Sequence, residues 1–325
     1  MERKCPNRCF LARSAVSKRV SSLAENPSRN TRRCEAAPAK LNLFLHVGGR
    51  LENGNHLLES LVVFADFGDK LRLTPSGTFA LKHTGPFAKS LPRAAVNDLT
   101  ACAVSGLSNI FSREPAFTLV LEKNIPVAAG LGGGSADAAA AIRLVCREWG
   151  VPHTGLDVRV LAERLGADVP MCLYGVPAWV AGVGERLTPL PQMPALDVLL
   201  VNPLQRLRTA DVFAEFTATD CLDGGIENLP SFVASAAALS FLQGRQNHLT
   251  DVAGKLCPAI KKILDTLEQQ NGCCLARMTG SGPTCFAIFE DEGACTRAAR
   301  AIAAQYAGWW VQRTKTNQST EWDPN

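Results

Sequence analysis

Hydrophobic and polar positions alternate with period two in several stretches of this chain and recur with helical period in others. Leu41, Leu43 and Leu45 alternate with Asn42, Phe44 and His46, the pattern of a half-buried strand, and order is expected to begin near Ala37. Residues 58–67 and 71–74 read as two strands broken at Gly68 and Asp69. Phe117, Leu119 and Leu121, alternating with Thr118, Val120 and Glu122, predict another. Helices are expected over 94–111 and, alanine-rich, over 135–149, the latter stopped by Gly150 and Pro152. Thr154 and Asp157 resemble the capped start of a further helix ending at Gly166. Beyond Pro189, Pro191 and Pro194 the spacing predicts a strand over 198–201, a helix from 209 to 216 and a helix over 258–270. That last helix has Ile260, Ile263, Leu264 and Leu267 on one face. A strand over 285–289 and a helix over 294–306 close the pattern. Strands mixed with helices, without regular βαβ alternation, indicate an α+β fold.

Length makes this two domains: 325 residues exceed what one core usually organises. The change of texture places the boundary between about 180 and 195. The resulting division is a basic tail (1–35), an N-terminal domain (36–185), a C-terminal domain (186–313) and a short tail (314–325). With 46% apolar and 20% charged residues, the composition is that of a globular protein, not of a disordered or fibrous chain. No stretch approaches 18 uninterrupted apolar residues, so no membrane partner is expected.

Charge narrows the partners further. The net charge is +4, and residues 1–35 hold nine Lys/Arg against three Glu, so the rest carries a small negative excess. Phe10 is the only aromatic residue in that basic stretch, which argues against nucleic-acid binding. The tail reads as disordered, with an organelle (plastid) transit peptide as the lesser reading. Twelve cysteines show no C-x-x-C pair and residues 1–20 lack an apolar secretory segment. Free thiols in a reducing cytoplasm, most of them packed as small hydrophobes, are therefore expected.

The segment most suggestive of chemistry is Pro126-Val-Ala-Ala-Gly-Leu-Gly-Gly-Gly-Ser135-Ala-Asp137. Glycines let backbone N–H groups approach an anion closely, and the following helix adds the positive end of its dipole. A phosphate is the natural ligand. The Gly-Lys-Ser/Thr ending of a P-loop is absent, and the third glycine of the dinucleotide fingerprint is replaced by Ser135. Ser135 is expected at the helix N-cap, and Asp137 reads simply as an acid in the first helical turn. A second loop, Gly280-Ser-Gly-Pro283, precedes a strand and would line the same phosphate site.

These residues resemble a known family. The loop from Pro126 to Ala138 resembles the nucleotide loop of the GHMP kinases. Ala37-Pro-Ala-Lys40-Leu-Asn42-Leu-Phe-Leu-His46, Asn53-Gly-Asn-His56, Leu165-Gly-Ala-Asp168-Val-Pro170, Gly182-Val-Gly-Glu185 and Thr279-Gly-Ser-Gly-Pro283 are similar, in order, to the branch acting on cytidine-diphospho-methylerythritol. The likeness runs from about residue 36 to 311. It implies a ribosomal-S5-like N-terminal domain beside a ferredoxin-like C-terminal domain, with the active site in the cleft between them. It also implies ATP- and Mg²⁺-dependent phosphorylation of the 2-hydroxyl of 4-diphosphocytidyl-2-C-methyl-D-erythritol in the non-mevalonate isoprenoid route.

Carried over residue by residue, the resemblance makes Lys40 and Asp168 the catalytic pair. Pro126, Val127, Ala128, Ala129, Gly130, Leu131, Gly132, Gly133, Gly134, Ser135 and Ala136 would hold the ATP phosphates, with Asn97, Asp98 and Lys123 near the nucleoside. Asn42, His56, Thr209 and Phe213 would contact the substrate. The chemistry agrees, since phosphoryl transfer needs an aligned hydroxyl and a carboxylate to take its proton. Two departures stand out. Asn55 occupies the place of a stacking Tyr, and Ala128 and Ala129 replace loop glycines, which matters little where φ is negative. Metal ligands are not readable. A homoserine- or mevalonate-type kinase and a non-catalytic nucleotide-binding regulator remain alternatives, and a homodimer stays open.

Overall fold

The computed structural model describes residues 33–52, 54–91, 98–190, 192–217, 232 and 234–316. Among them are two sheets. The first holds β1 (Cys34–Arg50), β2 (His56–Pro75), β3 (Ala80–Thr84), β4 (Phe117–Glu122), β5 (Ala178–Ala181) and β6 (Arg186–Pro189). Its order is β3-β4-β2-β5-β6, with β1 paired antiparallel to β2. The second holds β7 (Asp197–Asn202), β8 (Cys273–Met278), β9 (Cys285–Phe289) and β10 (Trp310–Lys315), in the antiparallel order β10-β7-β9-β8. Helices are α1 (Leu99–Phe111), α2 (Gly133–Trp149), α3 (Leu156–Leu165), α4 (Val169–Tyr174), α5 (Thr209–Glu215), α6 (Ser235–Gln243), α7 (Thr250–Leu256), α8 (Ala259–Glu268) and α9 (Glu292–Gln305). The α+β expectation holds. The chain passes from first sheet to second between Pro189 and Asp197, a few residues beyond 185, because β6 still pairs with β5.

Alternation along β2 sorts the core. Val62 and Phe64 face a cluster built on α2, whereas Leu61, Val63 and Ala65 face a cluster shared with Val198, Leu200, Phe286 and Ile288 of the second sheet. The alanines of α2 explain how a helix can sit so deep: Ala138, Ala139, Ala140 and Ala141 are all fully buried, and the small side chains let the helix approach the sheet closely. A third cluster covers the far face of the second sheet with α7, α8 and α9.

Three local expectations are corrected. β2 does not break at Gly68 and Asp69. A Cβ on Gly68 would lie 2.2 Å from the Ala37 carbonyl oxygen, so this glycine serves strand-to-strand approach and not a turn. β1 begins at Cys34, before Ala37, because Glu35 ion-pairs with Arg143 and Arg147, and those arginines donate to the Ala36 and Cys34 carbonyls. β10 likewise carries order through Lys315, past 313, by pairing along β7. Of the tail 1–35, residues 1–32 lie outside the described residues, as do 317–325 of the C-terminal one.

Candidate active site

A cavity of about 610 Å³ opens where β1, the N-terminus of α2 and the loops of the second sheet meet. Its floor starts with a bulge. Asn42 pairs with Val62 and Phe44 with Leu61, so Leu43 is an extra residue in β1. The bulge turns backbone groups away from the ladder, and side chains collect them. Arg277 Nη1 donates to the Leu43 carbonyl at 2.6 Å, Ser60 Oγ donates to the Phe44 carbonyl at 2.6 Å, and the Asn42 N–H donates to Thr279 Oγ1 at 2.8 Å. Lys40, two residues before Asn42, is pinned by its own N–H to the Leu131 carbonyl at 2.9 Å.

Lys40 Nζ lies 3.0 Å from both carboxylate oxygens of Asp168. The lysine side chain is 7% exposed and the aspartate 41%, so the carboxylate presents itself to the cavity while the ammonium backs it. Asp168 sits at the N-cap of α4, but its side chain makes no capping bond. Its carboxylate thus commits no oxygen to the helix and, backed by Lys40, faces the cavity.

The glycine loop forms the wall beside Lys40, so close that a Cβ on Gly132 would lie 3.2 Å from the Lys40 Cβ. Gly132 (φ 63°) caps α2, and Ser135 stands three residues inside the helix. The expected Ser135 cap and a helix start at 135 are therefore corrected: the left-handed glycine begins the helix two residues earlier. No side chain caps α2. The N–H groups of its first turn lack intrahelical acceptors and sit at the positive end of the dipole. Gly130 is required twice over: its φ is 74°, and a Cβ there would lie 2.5 Å from the Gly282 carbonyl oxygen. The two glycine loops are thus in backbone contact, and Thr284 ties them by donating through its hydroxyl to the Ala129 carbonyl at 2.5 Å. Ala128 has a φ of 57°, so the negative φ under which an alanine matters little is not met at this position.

Beneath the loop lies a charged cluster. Lys123 Nζ contacts Asp69 and, at 2.6 Å, Asp137; all three are at most 2% exposed. Asp69 also accepts from the N–H groups of Asn124 and Ile125 at 2.5 and 2.8 Å. Among the described residues Asp137 has no donor other than Lys123, and its Oδ1 is buried without a partner there. Burial, with the charge of Asp69, pushes the Asp137 carboxyl well above the usual range despite Lys123. Burial pulls Lys123 down, but the two carboxylates outweigh it and its pKa is raised.

Lys40, Asn42, Asp98, Lys123, every loop residue from Pro126 to Ser135, Asp168, Thr209 and Phe213 line this one cavity. Asp98 is also structural: one carboxylate oxygen caps α1 through the Thr100 N–H and the other meets His83 Nε2, both at 2.8 Å. Thr209 Oγ1 lies 2.8 Å from Ser281 Oγ, joining α5 to the second glycine loop. Ala136 is buried behind the lining, and Asn97 falls outside the described residues. His56 is not in the lining. Its ring packs on Phe213 with centroids 5.5 Å apart and on Phe216 at 5.9 Å. His56 Nδ1 lies 3.1 Å from the Gly48 carbonyl, an acceptor only, so Nδ1 carries the proton. Asp69, Ser60, Thr279 and Asp137 were not singled out as site residues from the sequence. Asp137 carried a local signal in its place beside the loop, and Thr279 in opening the second glycine motif.

Among the described residues no three His, Cys, Asp or Glu side chains group as metal ligands, and no helix is long and apolar enough to cross a membrane. Nine described cysteines are free, five of them buried; burial pushes the thiols of Cys146 and Cys172 up to about 12.

Comparison with known proteins matches both halves of the chain. The GHMP kinases N terminal domain matches residues 97–176 and the GHMP kinases C terminal model residues 226–308. A 4-diphosphocytidyl-2-C-methyl-D-erythritol kinase from Roseobacter denitrificans is 39% identical over 289 residues, covering 88% of this chain and 94% of that protein. The kinase of the same name from Paracoccus denitrificans is 46% identical over 279 residues, covering 86% and 95%. A crystal structure of 4-(cytidine 5'-diphospho)-2C-methyl-D-erythritol kinase superposes with a TM-score of 0.68 at 31% identity, over 87% of this chain and 99% of that one. Homoserine kinase from Cytophaga hutchinsonii, at TM-score 0.62 and 18% identity over 88% and 95%, shares the fold.

Proposed function

Because the chain belongs to the 4-diphosphocytidyl-2-C-methyl-D-erythritol kinases, ATP-dependent small-molecule kinases of the GHMP superfamily, we propose that its cavity transfers the γ-phosphoryl group of ATP to the 2-hydroxyl of that substrate. The reaction is a step of the non-mevalonate isoprenoid route. The observation that carries this reading is the placement of the Lys40–Asp168 pair directly beside an uncapped, glycine-flanked helix N-terminus in one cavity.

The triphosphate lies along residues 126–135, its charge met by the first N–H groups of α2. The acceptor alcohol lies against Asp168. As its oxygen bonds to the γ-phosphorus, the bond from phosphorus to the β,γ-bridging oxygen breaks and ADP leaves; the hydroxyl proton passes to the Asp168 carboxylate. Lys40, held against both oxygens of that carboxylate, also faces the transferring group and steadies its charge. Asn42 offers its unpartnered Oδ1 to a hydroxyl of the substrate. Thr209 and Phe213 line the arm that would take the cytidine end. His56, with its proton on Nδ1, has Nε2 left as an acceptor for an exocyclic amine, the group that distinguishes cytosine from uracil.

Mg²⁺ supplies neutralisation of phosphate charge when bound. Ser135, the hydroxyl of the glycine loop and part of the cavity lining, would be the oxygen this loop contributes to the ion. The strand order β10-β7-β9-β8, with α8 and α9 on one face, supports a ferredoxin-like reading of the second unit. The mixed first sheet under α2 supports an S5-like one. The buried free thiols are in keeping with a reducing compartment.

The test is ADP release by the full chain with ATP-Mg²⁺ and the cytidine substrate, with homoserine and mevalonate alongside. Release with the cytidine substrate alone is expected, and Asp168→Asn should lower kcat by at least about a hundredfold. Release with a different alcohol, or wild-type rates in Asp168→Asn, would overturn the substrate or the base respectively.

A further inference from the structure

We propose that Ser60 is a positioning residue that fixes the side-chain amide of Asn42, so that a lone acceptor and not a donor faces the substrate alcohol. The inference rests on the kinase reading of the cavity and goes beyond it by assigning the hydrogen-bond sense of one wall.

A hydroxyl has one proton to give. Ser60, 1% exposed on β2, lies 2.6 Å from the Phe44 carbonyl, which can only accept. That bond takes its proton. Ser60 Oγ must therefore accept from its other neighbour, the Asn42 side chain at 2.7 Å, and the atom it accepts from is Nδ2. The opposite amide orientation would set two acceptors competing for one proton and leave either the bulge carbonyl of Phe44 or Asn42 unsatisfied in a dry site. With Nδ2 committed to Ser60, Oδ1 is the atom that remains. It is buried, it has no partner among the described residues, and both Asn42 and Ser60 line the cavity. The chain from Phe44 carbonyl to Ser60 to Asn42 thus transmits the geometry of the β1 bulge into a fixed acceptor. That acceptor lies two residues from Lys40 on the same strand. Its complement is a hydroxyl donor on the substrate; an ether or a keto group at that place would be repelled.

The experiment has two readouts. Steady-state kinetics of the full chain compares Ser60→Ala and Ser60→Thr, each alone and with Asn42→Ala. Ser60→Ala should raise KM for the alcohol about tenfold while KM for ATP stays within about twofold, and Ser60→Thr should restore the wild-type value. In the Asn42→Ala background, Ser60→Ala should change KM for the alcohol no further. An equal effect of Ser60→Ala in both backgrounds, or a parallel rise in both KM values, overturns the proposal. Hydrogen exchange of the Asn42 side-chain amide, followed by NMR without substrate, decides the orientation even if the wild type proves inactive on the cytidine substrate. Protection in the wild type and in Ser60→Thr, lost in Ser60→Ala, is expected; an unprotected amide in the wild type overturns it.

Discussion

Asp69 and Asp137 share one ammonium, and the surroundings treat them unequally. Asp69 collects three donors, from Lys123, Asn124 and Ile125, and is satisfied as an anion. Asp137 collects one and keeps an oxygen bare. One buried lysine can balance one buried carboxylate, so the fold disfavours the charged form of Asp137, in line with the upward shift that burial and Asp69 impose. The sign follows: the folded pKa exceeds the unfolded value, so the contribution of Asp137 to stability is present in acid and lost as pH rises through the folded value. Asp137→Asn cannot ionise and should escape that loss. Urea unfolding of both proteins at about pH 5 and about pH 8 is expected to show the variant gaining on the wild type at the higher pH. A variant that loses ground with rising pH would mean that Asp137 is an anion in the fold.

At the scale of elements, the loop before α2 combines a left-handed glycine that must be one with a left-handed alanine that need not be. Gly130→Ala would add left-handed strain of about 1–2 kcal/mol. It would also push a Cβ into the Gly282 carbonyl, separating the two glycine loops. A rise in KM for ATP of at least about tenfold with a lower melting temperature is expected. Ala128→Gly relieves strain of similar size at φ 57° but gives back about 0.4–1 kcal/mol through the freer unfolded chain. Thermal melts and ATP titration should show it within about 1 kcal/mol of wild type, with KM for ATP unchanged. This loop was legible in the sequence because its chemistry is local: consecutive glycines and a following helix announce an anion site without reference to anything distant. Lys40 and Asp168, 128 residues apart, were legible only through the family likeness. Ser60 and Asp69 carried no local signal at all, since each acts through strand register that only the folded sheet creates, and Thr279 stood in a family-like motif that did not reveal its contact with Asn42. Gly68 misled for the same reason, as a glycine needed for close approach looks in sequence like one needed for a turn.

At the scale of the whole molecule, one guanidinium joins the parts that must stay aligned. Arg277 on β8 donates to Leu43 in the β1 bulge, to Leu242 at the end of α6 and to Arg245 just beyond it, at 2.6, 3.0 and 2.6 Å. It thereby ties the first sheet, the second sheet and α6 across 234 residues of sequence. Burial pulls its pKa down to about 10, which still leaves it charged at neutral pH. Arg277→Met keeps much of the volume but strands three carbonyls, each of which has lost a charged donor. The expected cost is about 3–5 kcal/mol, read as a lower urea midpoint. Because the Leu43 carbonyl belongs to the bulge that aims Asn42, catalysis should suffer in a specific way. KM for the alcohol should rise more than KM for ATP, since the glycine loop is held separately by Thr284 and Lys123. Arg277→Lys should recover part of the stability and little of the alcohol affinity, because a single ammonium cannot reproduce a planar fork aimed at three acceptors. Equal losses for both substrates would mean that Arg277 supports the fold as a whole and not the alignment of the bulge with the cavity.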